Sequence, residues 1–379
     1  MESQVVEVVL SGGPCAGKSS ALSYLSQKLG DRGLRVLVAP ELASQFLLGG
    51  LSDLPSLRSE RPLVYHCVQR QLIAMQNQAH ASYRAMAESF DQPVVVIYDR
   101  AEMDISAYTD PHRFQALLDE KQLTLADIRD CYDAVIHMVT AADGAEANYS
   151  PDSNPARIES DLEQARAADK LTLKSWTGHP HLRIIDNSTG FDEKLGRVLA
   201  EVLRLCEHLI PGSAVLAPLE YERKYLLKGP PDFSLYPLSG AVAIEIEQTY
   251  LLGSEPGVST RVRRRAQQGQ ATYYLTRKTE SSSGRVEEER RISPGQYLEL
   301  LESADPARRA IKKTRFCFPY ESFYFELDAI ERPGSTLWVL EIETPGAQVE
   351  VKLPPGLVLE REVTDEAAFR NSQLALDIP

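Results

Sequence analysis

The chain of 379 residues predicts an α/β domain built on a parallel sheet with helices on both faces, followed by a mainly antiparallel β domain, a barrel or a sandwich. Three observations predict this. Short β-branched runs alternate with long helical segments over the first 210 residues or so. A glycine loop follows the first of those runs. In the second half, about eight strand-like runs separated by Gly, Pro and Ser turns replace the alternation. At about 150 residues per domain, the length also suits two domains, placed at 1–212 and 213–379.

In the first part the strands are Val5 to Leu10, Val36 to Ala39, Val94 to Tyr98, Ala134 to Val139 and Leu182 to Ile185. The segments Ser19 to Leu29, Tyr65 to Ser89, Arg157 to Leu173 and Phe191 to Leu209 read as helices, the last ending near the breaker Pro211-Gly212. In the second part the strands are Glu220 to Leu227, Ala241 to Leu251, Arg261 to Arg265, Thr272 to Thr279, Arg285 to Ile292, Lys312 to Cys317, Phe323 to Ile330 and Leu337 to Thr344. Short helices are expected at Pro294 to Ser303 and Asp365 to Ala375.

A net charge of -13 argues against a surface that grips nucleic acid or an anionic membrane as a whole, while leaving a local basic site open. Five scattered cysteines with no C-x-x-C pair give no disulfide framework or zinc cage. No apolar run is long enough to span a bilayer, and the start MESQVVEVVLSGG lacks a basic n-region. These readings point to a cytoplasmic protein.

The glycine loop Gly12-Gly13-Pro14-Cys15-Ala16-Gly17-Lys18-Ser19 fits G-x-x-x-x-G-K-[ST] between a strand and a helix, and Ser20 follows it. In such a loop, backbone N–H groups curl around phosphates at a helix N-terminus. Lys18 reaches the β and γ phosphates and Ser19 holds Mg²⁺. Asp99 and Arg100 end the strand PVVVIYDR at the sheet edge where ligands bind. Asp99 would meet Mg²⁺ or act as a base. Glu41 would face the same crevice from the neighbouring strand; either acid could instead be a solvated strand end.

These residues resemble the P-loop kinase group, in particular the ATPase/kinase domain shared by ribosylnicotinamide kinase and the TRPL translocation defect proteins. The motifs are GGPCAGKSS, the Glu41 strand end, YDRAEMD with Tyr108, and NPARIESDLEQA. The resemblance implies a lid arginine, for which Arg157 stands, with a helix-surface arginine paired to Asp161 as the alternative. It also implies a base-contacting loop at Asn187-Ser188-Thr189. That loop carries no N-K-x-D signature, so ATP and GTP both remain open.

The second half carries charges at spacing two, which a strand places on one face. These are Glu220, Glu222 and Lys224; Arg261 and Arg263; Lys278; Arg285, Glu287 and Glu289; Lys313 and Arg315; Glu326 and Asp328; Glu341 and Glu343. The other faces are assigned Tyr221, Ile246, Val262, Leu327, Leu340 and Ile342. A charged interior needs a ligand to offset desolvation. Basic groups suit polyphosphate oxygens and clustered carboxylates suit Mg²⁺ or Mn²⁺. Arg264 and Arg265 extend the R-x-R pair and blur its register.

In order, EYERKYLL, IEQTYL, RVRRR, YYLTRK, RVEEERRI, KKTR, FELD and LEIE look like the CYTH superfamily, the triphosphate tunnel metalloenzymes. The resemblance implies an eight-stranded antiparallel tunnel barrel. By motif position Glu220, Glu222, Glu341 and Glu343 resemble metal ligands, with Glu326 and Asp328 either ligands or orienters of the cations. Lys224, Arg261, Arg263, Lys278, Arg285, Lys313 and Arg315 resemble phosphate binders. The expected function is a Mg-dependent ATP- or GTP-binding protein whose tunnel binds and hydrolyses a triphosphate or polyphosphate, Glu222 and Lys224 being catalytic there. Small-molecule kinase activity of the first domain stays open.

The order of the two domains also resembles the whole TRPL translocation defect family. That implies an alternative: nucleotide-regulated recognition of phosphoinositide headgroups, peripheral at membranes, with little turnover. RNA-end processing is a third reading.

Overall fold

The computed structural model describes residues 4–150, 159, 161–206, 221–253, 258–281, 284–344 and 349–376, and no side chain within 279–288. Arg157, Glu220 and the side chains of Arg285 and Glu287 therefore lie outside the described residues. So does the Pro211-Gly212 breaker. The chain divides into two compact units, Met1–Pro218 and Leu219–Pro379.

The first unit runs β1 (Val5–Gly12), α1 (Lys18–Gly30), β2 (Arg35–Ala39), α2 (Leu42–Leu48), α3 (Leu54–Glu60), α4 (Pro62–Glu88), β3 (Val94–Asp99), α5 (Glu102–Ser106), α6 (Pro111–Lys121), α7 (Leu125–Ile128), β4 (Ala134–Met138), α8 (Leu162–Ser175), β5 (Leu182–Ile185) and α9 (Phe191–Cys206). The strands form one parallel sheet in the order β2-β3-β1-β4-β5. Their near-continuous apolar runs are what a sheet covered on both faces requires. On one face, Leu25 and Leu29 of α1 and Val198 and Val202 of α9 pack over Val8, Leu10, Ile97 and Ile136.

One charge interrupts β1. Glu7 is buried but accepts from the Tyr98 hydroxyl at 2.8 Å and pairs with Arg84 at 2.6 Å and His80 at 3.1 Å. Burial pushes its carboxyl up, and His80, Arg84 and Tyr98 outweigh that and hold it below the usual range. Tyr98 is thus a packing residue. Because β1 lies between β3 and β4, the loop after β1 opens at the carboxyl edge where connections diverge to both sides, the usual ligand position of such sheets.

The second unit runs β6 (Tyr221–Leu227), β7 (Val242–Tyr250), β8 (Val258–Gln267), β9 (Gln270–Ser281), β10 (Gly284–Ile292), α10 (Pro294–Leu301), β11 (Ile311–Tyr320), β12 (Phe323–Arg332), β13 (Ser335–Thr344), β14 (Leu359–Glu362) and α11 (Asn371–Leu374). All eight expected strands form, joined by a ninth, in one antiparallel sheet ordered β10-β9-β8-β7-β11-β12-β13-β6-β14. The expected eight-stranded closed barrel is corrected on two points. The sheet has nine strands, and among the described residues no ladder joins its edge strands β10 and β14. The ninth strand covers the outer edge of β6, whose backbone groups would otherwise be unpaired. The sheet nevertheless curls. The Lys278 ammonium on β9 bears electrostatically on Glu222 on β6, although five strands separate them in sheet order.

Each side of this sheet has its own chemistry. Tyr225, Leu227, Phe325, Leu327, Leu340 and Ile342 form an apolar layer covered by Phe233, Leu238 and Leu353. The other side carries the charges. Ile246 belongs with the charges, since it pairs in register with Lys313 and Arg265. Tyr221, expected on the apolar side, is exposed at the start of β6. Arg265 is 2% exposed and continues the inward row of Arg261 and Arg263. Leu374 and Ala375, at the end of α11, pack against Tyr250, Ile311, Ile330 and Val339.

Candidate functional site

In the first unit the loop Gly12–Lys18 turns sharply between β1 and α1. Gly12 has φ +144°, and a Cβ there would lie 2.2 Å from the Met138 carbonyl oxygen. Gly17 has φ +91°, with Phe191 filling the space a Cβ would need. Both positions require glycine. Cys15 also adopts a left-handed conformation, and its carbonyl accepts from Ala141 N at 3.2 Å. The Pro14 carbonyl accepts from the Thr140 hydroxyl. Ser19 and Ser20 stand exposed in the first turn of α1.

The Lys18 Nζ donates to the Gly12 carbonyl at 3.4 Å. Burial, and then Arg100, pull its ammonium down, against Asp99, Glu41 and Asp104. Asp99 is raised by burial, and its Oδ1 is buried with no hydrogen-bond partner. An unsatisfied buried carboxylate oxygen facing a lysine is a group that still needs a cation or a donor. Arg100, held at φ +65°, pairs through Nε with Glu41 at 2.8 Å and through Nη1 with Asp104 at 3.2 Å. Glu41 also accepts from the Ser44 hydroxyl at 2.7 Å. Burial pushes the Glu41 carboxyl up, and Arg100 and Lys18 more than reverse this. Asn187 donates from Nδ2 to the Thr140 and Asp143 carbonyls at 2.8 and 2.7 Å, so its amide is directed at the backbone.

Three residues given no role in the sequence reading support this loop; of them only Asp104 falls within a quoted motif, YDRAEMD. Asp169 of α8 accepts from Gly13 N at 2.7 Å and Thr140 N at 3.2 Å. Lys194 of α9 donates to Ala16 O. Asp104 accepts from Ser11, Ala101 N and Trp176 at 2.6, 3.0 and 3.1 Å. Their signal is polarity on an apolar helical stripe: Asp169 lies between Ala165 and Leu173, and Lys194 precedes Val198 and Val202 at intervals of four. A Cβ on Gly13 would meet Asp169 Oδ1 at 2.6 Å and Cα at 3.0 Å. Gly13→Ala is therefore expected to weaken ATP binding at least about tenfold, in line with an overpacking cost of 1–3 kcal/mol, as calorimetric titration of the full chain would measure.

In the second unit, Arg315 is the hub of the charged face. Its Nε and Nη2 donate to Asp328 at 2.7 Å each, Nη2 also to Glu341 at 2.6 Å, and Nη1 to Glu326. Lys313 donates to Asp328. Lys224 reaches Glu341 at 2.6 Å and Glu222 at 3.0 Å. Arg263 pairs with Glu289 at 3.3 Å, and Glu289 accepts from Thr276 at 2.7 Å. Burial raises the Glu341 carboxyl, but Lys224, Lys313 and Arg315 hold it well below the carboxylate range. Glu222 moves the other way, raised by burial and by Glu341 against Lys224 and Lys278. Burial and neighbouring arginines depress Arg263, against Glu289.

Of the acids paired with metal in the sequence reading, Asp328 is fully buried between two cations and orients them. Glu343 is exposed. Glu222 opposes Glu343, and Glu326 opposes Glu341, on adjacent rungs. Like charges directly opposite destabilise a sheet unless a cation lies between them. Among the described residues no group of three or more His, Cys, Asp or Glu side chains is already gathered to hold a metal. The carboxylates are turned toward Lys224 and Arg315 instead.

Comparison with known proteins gives two kinds of match. Residues 7–194 match the family model described as an AAA domain. An inorganic triphosphatase of Nitrosomonas europaea is 32% identical over 161 residues, covering 42% of this chain and 99% of that protein. The chain belongs to the inorganic triphosphatase family. A second member, the inorganic triphosphatase of Acetivibrio thermocellus, is 31% identical over 155 residues, covering 41% of this chain and 92% of that one. A solved inorganic triphosphatase structure is similar at 28% identity over 42% of this chain and 97% of its own, with a TM-score of 0.32. No helix among the described residues of this chain is long and apolar enough to cross a membrane.

Proposed function

We propose that the second unit is a CYTH-type metal-dependent triphosphatase and that the first binds a nucleoside triphosphate with Mg²⁺. The observation that carries this reading is the mixed row Glu222, Lys224, Lys313, Arg315, Glu326 and Glu341 on one side of a curled sheet. The similarity to the Nitrosomonas protein spans 161 residues, the length of Leu219–Pro379, whereas the AAA match occupies 7–194. That supports assigning the triphosphatase likeness to the second unit.

In this reading the anion displaces acids from cations. Arg261, Arg263, Lys278, Lys313 and Arg315 take the oxygens of the triphosphate chain, charge-assisted bonds that reward close geometry. Glu222, Glu341, Glu343 and Glu326 would hold Mg²⁺ or Mn²⁺, consistent with the like-charged rungs they form; when bound, that ion polarises the terminal phosphoryl group. Lys224 neutralises charge on the leaving pyrophosphate and Glu222 orients water for in-line attack. One phosphoanhydride bond breaks, water supplies the new P–O bond, and phosphate, pyrophosphate and a proton leave.

In the first unit, Lys18 and the loop N–H groups take the nucleotide phosphates. Ser19 and Asp99, whose Oδ1 has no partner, suit Mg²⁺. Asp99 could equally serve as the base for a small-molecule phosphoryl acceptor, Glu41 and Arg100 lining that side.

The test is phosphate release by the full chain from tripolyphosphate, ATP, GTP and pyrophosphate, with Mg²⁺, with Mn²⁺ and with EDTA. Release from tripolyphosphate that EDTA abolishes is expected. No release under any metal condition would overturn the triphosphatase assignment.

A further inference from the structure

Lys194 sits in the first turn of α9, 2% exposed, where a cation opposes the helix dipole. Its ammonium has three protons and three acceptors: Val139 O at 2.7 Å, Asn187 Oδ1 at 2.7 Å and Ala16 O at 3.2 Å. These acceptors belong to the end of β4, the loop after β5 and the phosphate loop. No carboxylate is among them, so every hydrogen bond of this buried charge goes to a neutral oxygen. Burial, with Arg197 and Lys18, pulls this ammonium down to about 8, against Asp169 and Asp186.

The geometry of the acceptors gives the charge a purpose. Ala16 C=O and Gly17 N–H share one planar trans peptide and point in opposite directions. Holding the carbonyl toward Lys194 therefore turns the Gly17 N–H to the other side of the loop. Fixing Asn187 Oδ1 likewise decides which way its amide faces, sending Nδ2 to the Thr140 and Asp143 carbonyls.

We propose that Lys194 is a positioning residue of the nucleotide site, a buried ammonium that presets the phosphate loop for a polyphosphate and ties it to the β5–α9 loop. This rests on the reading that the first unit binds a nucleoside triphosphate. A bound polyphosphate stabilises the ammonium, so the free-state value near 8 rises on binding. Affinity is then level below about pH 8 and falls as pH rises through that value, because binding takes up a proton there.

The experiment is calorimetric titration of the full chain with MgATP and MgGTP at pH 7, 8 and 9. The nucleotide site is taken as the binding that Lys18→Met removes. Lys194→Met is expected to weaken that binding at least about tenfold at pH 7 and to flatten its decline between pH 8 and 9, a change that a purely structural role would not produce. Asn187→Leu, which removes one acceptor of the ammonium, moves the wild-type decline to lower pH and serves if Lys194→Met does not fold. Unchanged affinity and an unchanged pH profile in either folded variant overturn the proposal while leaving the nucleotide reading intact. Absence of any Lys18-dependent nucleotide binding in the wild type overturns both.

Discussion

Glu341→Gln is expected to lower the kcat for phosphate release from tripolyphosphate by at least about 100-fold, the scale seen when one preorganised electrostatic group is removed from a catalytic site. Glu341 is the carboxylate shared by Lys224 and Arg315, each at 2.6 Å. Neutralising it leaves the anion-binding face more positive, so KM should stay level or fall while kcat collapses. That split separates lost chemistry from lost binding. A stability loss of about 3 kcal/mol should accompany it, because two buried cations lose a charged partner. The carboxyl is depressed in the folded protein. Its contribution is therefore present above the unfolded value of about 4.3 and disappears only as pH falls through the lower folded value. Urea unfolding should thus show wild type and variant far apart at pH 7 and converging in strong acid.

Lys18→Met is expected to weaken MgATP or MgGTP binding at the first unit by at least about 100-fold, equivalent to about 2.7 kcal/mol. Lys18 is a cation that a phosphate would meet beside Asp99, Glu41 and Asp104. Without it those acids repel the incoming polyphosphate, while the Gly12 carbonyl that it now bonds is left facing the loop. The same variant should release phosphate from tripolyphosphate at the wild-type rate. Equal loss of both properties would place both in the glycine loop.

Much of this was legible in the sequence because it is local. The glycine loop is contiguous, and the strand ends carrying Glu41, Asp99 and Arg100 follow β-branched runs. Period-two charges located the second unit's strands and most of its charged face. What escaped is long-range or lacks a pattern. Asp169 meets Gly13 across 156 positions and Lys194 meets Ala16 across 178, and no spacing rule reaches so far. The strand Leu359–Glu362 has one partly buried apolar residue among charges, and its pairing with β6 shifts register. Ile246 reads as the apolar side of a charged strand, yet its register puts it beside Lys313, because the charged face also has an apolar stretch with Ile244 and Cys317. Arg265 was ambiguous for the opposite reason. Three consecutive arginines, Arg263 to Arg265, hide a period of two that only pairing with Ile246 resolves.

The proposed division gives triphosphate chemistry to the second unit and nucleotide binding to the first. Phosphate release from tripolyphosphate by Lys18→Met and Glu341→Gln, assayed side by side in the full chain with Mg²⁺, tests it most directly. Wild-type release by Lys18→Met together with near-complete loss in Glu341→Gln is the result expected. Loss in Lys18→Met with release retained in Glu341→Gln would contradict it.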